Sequence, residues 1–229
     1  MINIDELADG RFILPPPPPK PPKMTVLGIA CGDHATAPAF CAVRLDATLL
    51  SPGDLLFGEN PIFETHYTVL LSELLPIGTA YPAVALRTNI LARRLYSHDD
   101  RGDYHAVVDA SGIGRPVVAA IRDSVVPQCH ITGVTISSGD AGDDSLLWRN
   151  EAKIGLAYLI SRLQAILGGG RLHAIKDAGT GALFASLADY DMTTDRGPDL
   201  VRALALACVC DYQPVRYSIP PDSLPSARI

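Results

Sequence analysis

The residues with the clearest potential for chemistry lie near the middle of the chain, in the segment VVDASGIG at 107–114. Two β-branched valines lead into Asp109 and a glycine-containing loop follows, which predicts a buried strand that ends in a carboxylate. Functional groups in α/β folds are commonly exposed at the C-terminal ends of strands. Asp109 is therefore a candidate metal ligand, a candidate nucleotide-binding acid, or a polar residue that closes a strand.

Asp199 is the second candidate carboxylate. It follows Pro198 and falls in the first turn of the last predicted helix. An acid at this position also interacts favourably with the helix dipole, by about 0.3–1 kcal/mol. Residue types alone favour that structural role for Asp199.

The glycine loop after Asp109 lacks the full pattern of a dinucleotide-binding site. Gly112 and Gly114 match the first half of G-x-G-x-x-G, but Val117 stands where the third glycine belongs. The acid also precedes the loop, whereas a dinucleotide site needs an acid about twenty residues after it. The sequence has no G-x-x-x-x-G-K-[ST] motif, and Ser111 is not part of a G-x-S-x-G motif. These patterns argue against nucleotide binding and against serine hydrolase chemistry.

The composition predicts one large globular domain with an additional arm. The 229 residues are 48% hydrophobic and 19% charged, which is sufficient for a sizeable core. A net charge of -6 counts mildly against a general nucleic-acid binder, although a nuclease site is itself acidic. The five cysteines include no C-x-x-C pair and are expected to be reduced and buried.

Three regions are expected along the chain: a proline-rich arm at 1–23, a domain at 24–215 and a C-terminal tail at 216–229. The run at 15–19 consists of prolines and predicts polyproline II, either as a spacer or as an arm that docks on a partner or another copy. The beginning of the sequence lacks the pattern of a signal peptide, and the longest apolar run is too short to span a bilayer. We therefore expect a soluble intracellular protein with no membrane association.

Hydrophobic periodicity in the domain predicts three strands, then a helix, and then strands that alternate with helices. The segment at 150–170 predicts one long amphipathic helix that the glycines at 168–170 end. Consecutive strands favour an antiparallel meander, and the later strands join through helices as parallel strands do. The expected fold class is α/β: an RNase H-like mixed β-sheet with helices on both faces.

Four segments, in order, resemble the C-terminal nuclease domain of phage terminase large subunits. They are YHAVVDASGIGRPVVAAIRD, ITGVTISSGD, WRNEAKIGLAYLISRLQAILGGGRLHAI and GPDLVRALALA. The resemblance covers about residues 24–211, and VVDASGIGRPVV is its most specific part.

The resemblance implies cleavage of double-stranded DNA during phage genome packaging, assisted by two Mg²⁺ or Mn²⁺ ions. Such ions prefer carboxylate oxygens, and two together activate a water and stabilise the leaving oxygen. The family supplies one acid from the first strand, one from the strand that Asp109 matches, and one from the helix start that Asp199 matches. Arg115, Arg149 and Lys153 are candidate contacts to DNA phosphates.

The first-strand acid is missing from this chain. The family pattern resembles G-I-D, whereas the chain reads GIACGD and has Ala30 at the aspartate position. Alanine cannot bind a metal, so Asp33 is the candidate substitute as a third metal-binding and catalytic acid. Strand alternation puts Ala30 and Gly32 on one face and Asp33 on the other, unless the turn rotates it.

Two functions remain open at this point. The first is a metal-dependent endonuclease in which Asp109, Asp199 and Asp33 hold Mg²⁺ or Mn²⁺. The second is a pseudo-enzyme: a non-catalytic phage structural or packaging-accessory protein that uses the fold and residues 1–23 to bind packaging or virion proteins, or to form a homo-oligomer. Either function places the protein in the host cytoplasm or the virion.

Overall fold

A computed structural model describes residues 23–32, 35–51, 62–98, 103–112, 114–124, 129–142, 146–175, 179–190 and 199–211. The expected arm, apart from its last residue, and the expected tail at 216–229 lie outside these ranges. Lys23, which we assigned to the arm, is instead the first residue of a strand.

Seven strands and five helices make up the described part of the chain. The strands are β1 (Lys23–Ala30), β2 (Ala39–Ser51), β3 (Ile62–Leu74), β4 (Asp103–Asp109), β5 (Cys129–Ser137), β6 (Glu151–Gly155) and β7 (Leu172–Ala174). The helices are α1 (Tyr81–His98), α2 (Gly114–Ser124), α3 (Leu156–Gly168), α4 (Thr180–Ala188) and α5 (Asp199–Ala207). A short 3-10 helix, Leu146–Trp148, precedes β6.

The strands form one mixed sheet in the order β6-β5-β4-β1-β2-β3-β7. β1, β2 and β3 are the predicted antiparallel meander, and β4, β5 and β6 continue the sheet in parallel from β1. One face packs against α3, α4 and α5, and the other packs against α1 and α2. The RNase H-like α/β class is therefore confirmed.

The helix predicted from residue 150 was wrong in its first part. Glu151–Gly155 is a parallel strand that pairs with β5, and α3 begins only at Leu156. Gly155 has extended φ and ψ angles of -75° and 137° and stands at the N-terminal cap of the helix. The mixed polar and apolar residues of β6 are too few to distinguish the two-residue period of a strand from the 3.6-residue period of a helix. Pairing with β5 therefore decides that this segment is a strand.

Close packing of α5 on β1 fixes the position of the last helix. A Cβ atom added at Gly28 would lie 2.0 Å from the Ala203 carbonyl oxygen and 2.6 Å from the Ala207 nitrogen. The missing side chain at position 28 and the small side chains on α5 allow this approach of helix backbone to strand backbone. The position of α5 matters for function because its first turn carries Asp199.

A polar cluster holds the other end of α5. Arg162 of α3 donates from Nε to the Cys208 carbonyl oxygen at 2.7 Å and from Nη2 to the Tyr67 hydroxyl at 2.9 Å. The Tyr67 hydroxyl in turn donates to the Asp211 carboxylate, which lies 2.9 Å from Arg162 Nη2. Burial raises the pKa of Asp211, but the Tyr67 hydrogen bond and the Arg162 charge outweigh it and hold that pKa below its usual value. These contacts tie the C-terminal end of α5 to β3 and α3.

We predict that Gly28→Ala destabilises the fold by about 1–3 kcal/mol or more, because the new methyl group clashes with the α5 backbone. Urea unfolding followed by circular dichroism measures this change. Gly181→Ala is the matched control, since a Cβ atom at Gly181 in α4 meets no atom within 4 Å; it should raise stability by about 0.5–1 kcal/mol. Equal stability of wild type and Gly28→Ala would contradict the packing of α5 on β1.

Candidate functional site

The C-terminal ends of β1 and β4 place residue 30 beside Asp109. The two strands are parallel neighbours in a register that pairs Ile29 with Val108, so Ala30 and Asp109 fall in the next row. Both face the α5 side, because Ala30 and Val107 belong to the core on that side and Asp109 is two residues after Val107. Neighbouring strands lie about 4.8 Å apart. A carboxylate at position 30 would therefore stand directly beside Asp109.

Hydrogen bonds to the following loop fix Asp109. Its Oδ1 accepts the backbone N–H of Ser111 at 2.8 Å. The Ser111 Oγ accepts the backbone N–H of Ile136 at 2.9 Å, which connects the loop to β5. The Cys31 thiol donates to the Asp109 carbonyl oxygen at 3.3 Å. Oδ1 of Asp109 thus has a structural role, since it accepts a backbone hydrogen bond from the loop after β4.

The two glycines of the loop have backbone roles. Gly112 has a φ of +54°, in the left-handed region that favours glycine. A Cβ atom at Gly114 would lie 2.0 Å from the Asp109 carbonyl oxygen, so α2 begins in direct contact with the end of β4. Gly112 and Gly114 therefore allow the tight turn from β4 into α2.

The first turn of α5 reaches the other oxygen of Asp109. Nη1 of Arg202 lies 3.9 Å from Asp109 Oδ2. Asp199 is three residues before Arg202, so the two side chains share one face of the helix. Asp109 and Asp199 are 7% and 9% exposed, which marks both as buried acids. The structure thus places the α5 face that carries Arg202 and Asp199 at the end of β4.

Arg202 was missed in the sequence, where Arg115, Arg149 and Lys153 were the cations considered. Its spacing of three residues from Asp199 was the available signal, since a cation at that spacing shares the helix face with the acid.

Asp33, the predicted substitute for the missing acid, lies outside the described residues. β1 ends at Ala30, and Gly32 has a φ of +64°. The backbone has therefore left the extended conformation before residue 33. The expectation that Asp33 faces away from Asp109 rests on strand alternation, and the strand itself ends at Ala30.

The three predicted DNA-contacting residues are all exposed, but they lie at different places. Arg115 is in the first turn of α2, which starts against Asp109. Lys153 pairs with Thr135 and faces the α2 side, since its neighbour Ile154 faces the opposite core. Arg149 precedes β6, near the point where the end of α2 meets Asn150 through Arg122. The register places Lys153 one row beyond Asp109, so Arg115 and Lys153 lie towards the Asp109 end of the sheet and Arg149 does not.

Two buried titratable groups near these strands are held in their neutral forms. Burial, together with the charge of Asp109, raises the pKa of Cys31 to about 12, so the thiol stays protonated. Burial, together with the neighbouring His130, lowers the pKa of His105 to about 4, so this imidazole is neutral at pH 7. Neither group has the properties of a nucleophile or an acid catalyst at neutral pH.

The residues that the structure describes do not fit a two-metal site. Among them, no group of three or more His, Cys, Asp and Glu side chains could hold a metal ion. Ala30 supplies no ligand, one oxygen of Asp109 accepts a backbone hydrogen bond, and the other faces a guanidinium. A pair of divalent ions needs several carboxylates to offset the repulsion between the ions.

Comparison with solved structures finds a domain of similar fold. The chain is similar to the manganese-soaked nuclease domain of human cytomegalovirus terminase, with a TM-score of 0.53 and 13% sequence identity. The match covers 90% of this chain and 93% of the viral domain. No family model and no curated protein match the sequence. The comparison shows that the chain has a terminase-nuclease-like fold.

The helices in the described ranges are not membrane spans, since none of them has the length and apolar character needed to cross a bilayer.

Proposed function

We propose that this protein is a terminase-nuclease-like domain that binds double-stranded DNA in viral genome packaging and has lost metal-dependent cleavage. The observation that carries the proposal is Ala30, which occupies the row beside Asp109 where a first-strand acid would stand. The fold supports an origin in a nuclease. The side chains around Asp109 support the loss of metal-dependent cleavage.

Loss of one carboxylate has a large effect on a two-metal reaction. A correctly held ion contributes several kcal/mol to the transition state, so a missing ligand lowers the rate by orders of magnitude. The remaining acids, Asp109 and Asp199, are buried, and Arg202 already stands at Asp109. The proposed function therefore assigns these acids to the structure of the strand end and the helix start.

DNA binding in this proposal centres on the Asp109 end of the sheet. Arg115 is an exposed cation in the first turn of α2, at the same end as Asp109. A cation there can contact a phosphate and position the duplex without reading its sequence. Docking of residues 1–23 on packaging or virion proteins stays a separate prediction, as does assembly of a homo-oligomer.

The second candidate function is an active endonuclease that uses Mg²⁺ or Mn²⁺. The turn at Gly32 favours it, because the backbone rotates before Asp33. In that case Asp33 would join Asp109 and Asp199 as the third acid. The manganese-soaked cytomegalovirus domain fits the use of such an ion by a domain of this fold.

We predict that wild-type protein nicks supercoiled plasmid with Mn²⁺ no faster than Asp109→Asn, and that Ala30→Asp gains activity. The new carboxylate adds a ligand beside Asp109, and we expect a gain of about tenfold or more. Gel electrophoresis of the plasmid over time measures the rate. Ala30→Asn is the matched control, since it has the same shape without the charge.

The outcomes separate the two candidate functions. Wild-type nicking that Asp109→Asn abolishes would contradict the loss of catalysis and favour Asp33 as the third acid. Ala30→Asp carries a buried charge, so its melting temperature is measured with and without Mn²⁺, and the metal should raise it. A folded Ala30→Asp protein with neither Mn²⁺ stabilisation nor nicking would contradict the assignment of position 30.

We predict that Arg115→Ala weakens binding to a labelled DNA duplex and lowers the slope of log K against log salt by about 1, because one phosphate contact is lost. Fluorescence anisotropy at several NaCl concentrations measures both quantities. Arg149→Ala is the charge-matched control and should leave the slope unchanged. Equal effects of the two substitutions would contradict binding at the Asp109 end.

A further inference from the structure

We propose that Arg202 is a built-in counter-ion that takes the place of a divalent cation at Asp109 and weakens metal binding at this site. The inference rests on the proposed function, in which this end of the sheet is a nuclease site that has lost its reaction. It adds a cause of that loss which is separate from Ala30.

The geometry fixes both partners of this ion pair. The Ser111 N–H donates to Asp109 Oδ1. The other oxygen, Oδ2, faces α5, where Arg202 Nη1 lies 3.9 Å away. Gly28 allows the α5 backbone to pack directly on β1 one residue beyond Arg202, which sets the position of the helix turn that carries Arg202. The guanidinium charge is thereby held at the carboxylate oxygen that remains available for an ion.

Because the Asp109–Arg202 pair is partly buried, Arg202 has an electrostatic role. The Asp109 side chain is 10% exposed and the Arg202 side chain is 33% exposed, so the pair is partly shielded from water. A buried carboxylate is costly unless a cation compensates its charge. In a two-metal nuclease the ions supply that compensation, and here a guanidinium fixed to the protein supplies it.

The same charge opposes a metal ion. A divalent cation at Asp109 Oδ2 would lie within a few ångströms of the guanidinium, and the repulsion between like charges is strong where water is partly excluded. Arg202 therefore lowers the affinity of the Asp109 carboxylate for a metal. Removing its charge should raise that affinity even though Ala30 remains.

Titration of the DNA-free protein with Mn²⁺, with free Mn²⁺ measured by electron paramagnetic resonance, tests the inference. We expect Arg202→Met to bind Mn²⁺ about tenfold more tightly than wild type, since it keeps the length of the side chain and removes the charge. Arg202→Lys should stay as weak as wild type because it keeps the charge. Arg93→Met removes an exposed charge on α1, where Arg93 Nε donates to Asn89, and should leave Mn²⁺ affinity unchanged.

The double variant Arg202→Met/Asp109→Asn locates the effect. If the gain in Mn²⁺ affinity disappears in this variant, the ion binds at Asp109 as inferred. The inference is overturned if Arg202→Met binds Mn²⁺ like wild type, if Arg93→Met gains as much, or if the gain survives Asp109→Asn. Thermal melting confirms that each variant is folded. The titration contains no DNA and measures no cleavage, so its result is independent of the plasmid and anisotropy experiments.

Discussion

The direct contact between the backbones of α5 and β1 is the constraint on which the candidate site depends. Gly28 leaves room for the Ala203 carbonyl and the Ala207 nitrogen, and no other residue type would allow the helix this close. The contact sets the distance and the rotation of α5 relative to the sheet. Its first turn consequently reaches the C-terminal end of β4, while Arg162, Tyr67 and Asp211 hold its far end.

The consequence is two buried acids and a partly buried arginine that have little freedom. Asp109 is fixed by the loop that follows it, and Asp199 and Arg202 are fixed by the helix that carries them. A nuclease of this fold would balance its acids with metal ions. In this chain Ala30 occupies the row beside Asp109 and a guanidinium faces Asp109. Under the proposed function, protein groups balance the charge of the acids within a terminase-nuclease-like fold.

The sequence predicted most of the fold, and the physical reason is the periodicity of its core. β1, β4 and α5 have long apolar patterns with clear ends, and their order along the chain implied the mixed sheet. β6 was missed because five residues with both polar and apolar positions carry no clear period, and only pairing with β5 defines them. Local pattern cannot supply that information, since the partner strand is distant along the chain at 129–137.

The candidate acids could be selected from the sequence, whereas the approach of Arg202 to Asp109 could not. Asp109 and Asp199 stood out because acids at a strand end and a helix start are recognisable from local sequence. The approach of Arg202 to Asp109 depends on the packing of α5, which joins residues 93 positions apart. The different positions of Arg115 and Arg149 likewise follow from the antiparallel course of α2 across the sheet, which the sequence does not state.

A crystal structure of the wild-type protein soaked with Mn²⁺, with anomalous scattering collected at the manganese edge, examines this charge balance most directly. If protein groups take the place of a metal, we expect no manganese peak at Asp109 and the Arg202 guanidinium at Asp109 Oδ2. Two manganese peaks bridged by Asp109, with Asp199 and Asp33 as further ligands, would contradict it and identify an intact two-metal nuclease.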